Sequence, residues 1–201
     1  MTALIVIVVL AILIIGWVIM TYNRLVALRT QVANGWAQID VQLKRRYDLI
    51  PNLVESVKGY MGHEQDTLRQ VIEARNKAVA ANPGSAGPGT APATGATAAT
   101  IAAESALTAS LGKMFALAES YPDLKANQSV QQLMEELSST ENKIGFARQY
   151  YNDTATSFNT AVQSFPGNLI ANKFGFQNAE LWRVSEAERA AVEVAPKVSL
   201  R

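Results

Sequence analysis

Five charged side chains fall where a helical pattern calls for apolar ones, and these are the residues whose placement could do chemistry. In the segment 24–61, Trp36, Leu43, Ile50 and Val57 recur every seven residues. Val26, Ala33, Asp40, Tyr47, Val54 and Met61 form an interleaved set. In the segment 129–165, Val130, Leu137, Ile144, Tyr151, Phe158 and Phe165 lie seven apart, with Met134, Glu141, Arg148, Ala155 and Val162 as the second set. Asp40, Glu141 and Arg148 therefore occupy core-facing positions. Arg75 and Glu104 stand on the inner faces of two further helical segments. Carboxylates gathered beside arginines could hold a proton or an ion, or act as an acid–base pair. Arginine cannot accept a proton near neutral pH, which argues against catalysis. A buried charge left alone costs several kcal/mol, so these groups should meet one another as ion pairs that fix helix register. The expected pairs are Arg148 with Asp40 or Glu141, and Arg75 with Glu104 or Glu141.

The remaining polar signals are thin. His63 is the single histidine, and the chain has no cysteine. A zinc site needs several such ligands, so no metal or cofactor is expected, and His63 reads as a surface residue near a turn. There is no phosphate-binding glycine loop; Gly84 to Gly95 lies in low-complexity sequence. No nucleophile elbow accompanies a Ser/His/Asp set. Lys44, Arg45 and Arg46 form the one basic cluster. On a straight helix it stands about 30 Å beyond the bilayer edge, while screening acts over about 8 Å at physiological salt. It therefore reads as a solvated face or a partner-binding patch. Eighteen basic residues against seventeen acidic ones leave a net charge of +1. That balance excludes a general nucleic-acid binder.

The elements that must position these residues are helices. From Met1 to Asn23 no side chain is charged, and Ala3 to Met20 is almost wholly apolar. Eighteen to twenty such residues span about 30 Å as a helix, the thickness of the bilayer hydrocarbon. Trp17 and Tyr22 stand where an interfacial aromatic belt would fall. A cleaved signal peptide is the competing reading. The run lacks a basic leading region and a small-x-small cleavage site, and it leads straight into a heptad pattern. The expectation is a membrane anchor over 1–23 with lipid contacts from residues 3–22. Arg24 and Arg29 place the C-terminal domain in the cytoplasm by the positive-inside rule.

The fold expected beyond the anchor is all-α: the transmembrane helix continues into an antiparallel bundle of about four long helices over 24–166. Pro51 should kink the first or cost it a hydrogen bond. Gly59 and Gly62 mark a turn, and a second helix covers 63–80. Residues 82–100, rich in Pro, Gly, Ala, Ser and Thr, read as a flexible linker. A third helix covers 101–120 and stops at Tyr121-Pro122-Asp123. The fourth begins at a capping box of Ser129 with Gln132 and ends at Pro166-Gly167. In the tail, 167–201, Phe174, Phe176 and Trp182 should dock on the bundle, with a charged helix from Glu186 to Glu193.

These residues resemble a known family. Tyr22-Asn23 after the anchor, the block from Ile39 to Val54 and Ala74-Arg75-Asn76 are similar to bacterial LemA proteins. So are the stretch from Tyr121 to Asn127, Glu141-Asn142-Lys143-Ile144, Arg148, Tyr151-Asn152 and Phe165-Pro166-Gly167-Asn168. The insert at 82–100 is longer and simpler than the family pattern, and Ala155 replaces a larger apolar residue. The resemblance implies an anchored inner-membrane protein with a long helical bundle, and enzymatic activity is not in the family's profile.

Three functions compete. The leading expectation is a self-assembling, membrane-anchored scaffold, a homo-oligomer that organises or remodels membrane. Second is a non-enzymatic adaptor for another membrane protein, such as a protease or sensor in envelope stress signalling. An enzyme is the third and weakest. A scaffold should expose apolar surface between subunits, whereas an adaptor should be polar outside.

Overall fold

A computed structural model describes residues 1–82 and 97–183. Among the described residues every regular element is helical: α1 (Thr2–Lys58), α2 (Gln65–Ala81), α3 (Ala98–Ala118), α4 (Pro122–Ala126), α5 (Gln128–Gln163) and α6 (Gly167–Phe174). The all-α expectation holds. As the unbroken pattern required, a single helix of 57 residues carries both the apolar run and the first heptad stripe. The expected linker is shorter at its edges. Asn82 and Thr100 are buried, and Thr100 already lies in α3. Residues 83–96 and the charged run 186–193 lie outside the described residues.

The described chain forms two compact units. The first is Met1–Gln42 with Lys143–Leu181; the second is 43–82 with 97–142 and 182–183. In the first, Leu4 to Ile15 of α1 present their side chains outward, and α1 is long enough, and near its N-terminus apolar enough, to cross a membrane. Farther along, Leu25, Val32, Trp36 and Ile39 are buried, together with Ile144, Tyr151, Ala155 and Phe158 of α5. The two helices approach closely at Gly35. A Cβ there would stand 3.2 Å from the Tyr151 Cα and 3.3 Å from Thr154 Oγ1. Trp36 meets Tyr151 edge-on, with ring centroids 6.0 Å apart.

The tail of the first unit is tied down by polar contacts as well as rings. Asn159 clamps the backbone of Ala179: its Nδ2 donates to the carbonyl at 2.9 Å, and its Oδ1 accepts from the amide at 2.7 Å. Tyr151 donates to the Glu180 carbonyl at 2.7 Å. Gly175 closes α6 at φ 71°, a left-handed cap that a glycine adopts without a Cβ penalty. Phe176 is then buried against Phe158, with ring centroids 6.4 Å apart, and Arg29 stands 5.3 Å over its ring. Phe176 is buried, whereas Phe174 stays largely exposed; Trp182, which belongs to the second unit, is buried as well. Phe165, expected to close the heptad of α5, is 79% exposed because α5 ends at Gln163 before the stripe reaches it.

In the second unit α2 packs on α3. Pro51 does not end α1. Proline has no N–H, so the Tyr47 carbonyl four residues earlier loses its helical donor. Arg75 Nε of α2 supplies one instead, at 3.2 Å. The start of α5 differs from the expected capping box. Asn127 is the cap, with its Oδ1 accepting from the Ser129 amide at 3.0 Å and the Val130 amide at 3.2 Å. Ser129 lies two residues farther in, where its own amide is among those needing an acceptor.

Candidate functional site

The charge cluster forms in the second unit, around an arginine that the expected core set left out. Arg46 is fully buried, although it belongs to the basic run Lys44–Arg46. A helix turns about 100° per residue, so three consecutive side chains cannot share one face. Lys44 and Arg45 are exposed, and Arg46 points inward. The basic trio is therefore not a single surface patch. Arg45 pairs with Glu136 of α5 at the surface.

Arg46 meets two carboxylates. Its Nη2 donates to Glu104 Oε2, a pair whose side chains are both at 0% exposure. Its Nη1 donates to Glu141 Oε2 and, at 3.1 Å, to Thr108 Oγ1. Thr108 in turn donates to Glu141 Oε1 at 3.3 Å. Glu104 and Thr108 are four residues apart on α3, so they line one face and reach the same guanidinium. Glu141 is the outer member, its side chain 36% exposed. Tyr47, the next residue of α1, donates to Glu104 Oε1, so both oxygens of that buried carboxylate are occupied. Burial pushes the Tyr47 hydroxyl well above its ordinary range, and the Glu104 charge adds to the shift. Tyr47 is therefore a neutral donor at physiological pH, and the group carries one positive and two negative charges. Arg46 Nε is buried with no hydrogen-bond partner within the protein.

The five expected core charges divide between the two units. Glu104 and Glu141 come together, but through Arg46. Arg75 does not meet them: it is half-buried and bonds the Tyr47 carbonyl and, at 3.2 Å, Asn76 Oδ1. Asp40 and Arg148 belong to the first unit, both half-buried. His63 is exposed at the turn after α1. Two frames fit the seven-residue spacing beside Trp36, Leu43, Ile50 and Val57. The frame 26, 33, 40, 47, 54 buries Asp40. The frame Leu25, Val32, Ile39, Arg46, Leu53 buries Arg46, and it is the one observed; Ala33 is exposed. Its four strongly apolar members are the signal that could have found Arg46.

Chemically, this site holds charge in place. The guanidinium cannot give up its proton near neutral pH, and each Glu104 oxygen accepts a hydrogen bond, one from Arg46 and one from Tyr47. Among the described residues no group of three or more His, Cys, Asp or Glu side chains is arranged to hold a metal ion.

Residues 35–195 match the LemA family. Protein LemA of Metamycoplasma hominis is 27% identical over 173 residues, covering 86% of this chain and 74% of that protein. Magnetosome protein MamQ 2 of Paramagnetospirillum magneticum is 26% identical over 188 residues, 86% of this chain and 68% of that protein. Magnetosome protein MamQ of Magnetospirillum gryphiswaldense is 24% identical over 187 residues, 84% and 67%. With most of its length matched, Arg46, Glu104 and Glu141 included, this chain belongs to the LemA family.

Proposed function

We propose that this protein is a non-enzymatic, self-assembling scaffold anchored in the bacterial inner membrane by residues 3–22 of α1. The observation that carries the reading is an exposed apolar patch on the helices of the anchored unit. Phe146 is 73% exposed and Val41 61%. They flank a recess of about 360 Å³ that Gln38, Gln42, Lys143 and Ala147 complete. Apolar side chains of that size left in water favour association. An anchor holds every copy at one height, so the same patch on neighbouring copies meets face to face, about an axis normal to the membrane. Confinement to two dimensions raises the effective concentration further. The buried Arg46 cluster then has a structural role, fixing the register of α1 against α3 and α5 in the second unit. Arg24 and Arg29 favour a cytoplasmic domain. Two relatives named as magnetosome proteins fit a membrane-associated role.

Sedimentation of the full-length protein in detergent over a range of protein concentrations tests the reading. The wild type should assemble, and Phe146→Asp should shift the equilibrium toward monomer with its helicity kept. A wild type that stays monomeric throughout would favour an adaptor for another membrane protein over a scaffold.

A further inference from the structure

We propose that the turn after α5 and the short helix α6 form a second membrane contact, a wedge that dips into the lipid interface beside the spanning helix. It rests on the membrane span of α1 proposed above. The stretch Phe165-Pro166-Gly167-Asn168 has no role in the charge cluster or the self-association patch, yet it sits at a particular height. Trp17, Thr21 and Arg24 of α1 line one recess together with Phe165, Pro166 and Gly167. Trp17 and Tyr22 mark the end of the apolar run, so this turn is level with the bilayer edge. Tyr22 meets Phe174 edge-on, with ring centroids 4.9 Å apart, which puts the far end of α6 at the same level.

What this level exposes is apolar and basic. Phe165 is 79% exposed, Leu169 57% and Phe174 54%. α6 hides Ile170 and Ala171 against the protein while turning Leu169 outward. Large apolar groups in a turn are costly in water and suited to the acyl boundary. The charges nearby have one sign: Arg24 and Arg29 are the only charged residues in 1–39, and Lys173 is the only one in 154–179. Cations without acidic neighbours at the bilayer edge suit the anionic headgroups of the cytoplasmic leaflet. One apolar wedge rimmed by basic side chains commits the patch to a lipid surface.

The chain has no cysteine, so single cysteines place spin labels without background. The full-length protein carrying Phe165→Cys, Leu169→Cys, Leu10→Cys or Gln149→Cys is labelled in vesicles containing anionic lipid. Labels at 165 and 169 should be more accessible to oxygen than to a water-soluble nickel complex, as at 10, whereas 149 should show the reverse. Lipid exposure at 10 with water exposure at 165 and 169 would overturn the wedge and leave the span standing. Water exposure at all four would overturn both. Shielding of 165 from both relaxants, with spin–spin broadening between copies, would give the patch to a second chain and overturn the wedge.

Discussion

Arg75 Nε lies 3.2 Å from the main-chain carbonyl of Tyr47, the one carbonyl in α1 that Pro51 deprives of its helical donor. A proline inside a helix costs about 3 kcal/mol or more, largely through the lost bond and the clash of its ring. Here a side chain from α2 repairs the lost bond, and the helix continues to Lys58. The repair makes the α1–α2 contact depend on a proline that a local rule would place at a break.

The two residues should therefore be coupled. Arg75→Met should destabilise the fold by about 1–3 kcal/mol, the range for a hydrogen bond from a charged group whose partner is left unsatisfied. In a Pro51→Ala background the backbone amide returns, and the same change should cost much less. Denaturant unfolding of the four proteins, followed by circular dichroism, gives the cycle. Equal costs in both backgrounds would contradict the repair.

Arg46→Met removes the cation that faces Glu104 and leaves that carboxylate buried beside a neutral hydroxyl. The expected loss is about 3–5 kcal/mol. Arg46→Met combined with Glu104→Leu should recover most of it, because the remaining carboxylate, Glu141, can turn to water. Unfolding midpoints measured in one detergent provide the comparison.

Alkaline pH should weaken the fold through Tyr47. Its folded-state hydroxyl is raised above the ordinary value of 10.0, by burial first and by Glu104 second. A raised acid binds its proton more tightly in the folded state, so its contribution is full below 10.0 and is lost as pH climbs past that value. Tyr47→Phe has no proton to lose, so its stability should fall less steeply above that pH than the wild type's.

Close approach of α1 and α5 depends on Gly35. A valine there would hold its Cβ 3.2 Å from the Tyr151 Cα and 3.3 Å from Thr154 Oγ1, tighter than ordinary van der Waals contact, and should cost about 1–3 kcal/mol despite the better helix propensity. A thermal scan of Gly35→Val checks this; unchanged stability would mean that the helices separate without penalty.

The helices were legible where one physical rule acted alone. The apolar run and the seven-residue spacing fixed the length of α1 and the buried face of α5 from Val130 to Phe158. Legibility failed where two rules competed. Trp36, Leu43, Ile50 and Val57 fit either of two partner sets, and the frame through Val26, Ala33 and Tyr47 left Arg46 on the surface. A charged residue reads as exposed until its partners are known, and Glu104 and Glu141 lie 58 and 95 residues away. The tie from Arg75 to Tyr47 was hidden for a similar reason: the acceptor is a backbone carbonyl, which no side-chain pattern displays. Asn127 and Ser129 could each cap a helix, and only the geometry of the first turn separates them.

Stepwise photobleaching of the labelled full-length protein in a supported bilayer measures the central claim most directly, because it counts subunits where the anchor places them. The account predicts spots with several bleaching steps for the wild type and mostly single steps for Phe146→Asp. Single steps for the wild type at every surface density, or protein that never enters the bilayer, would contradict it.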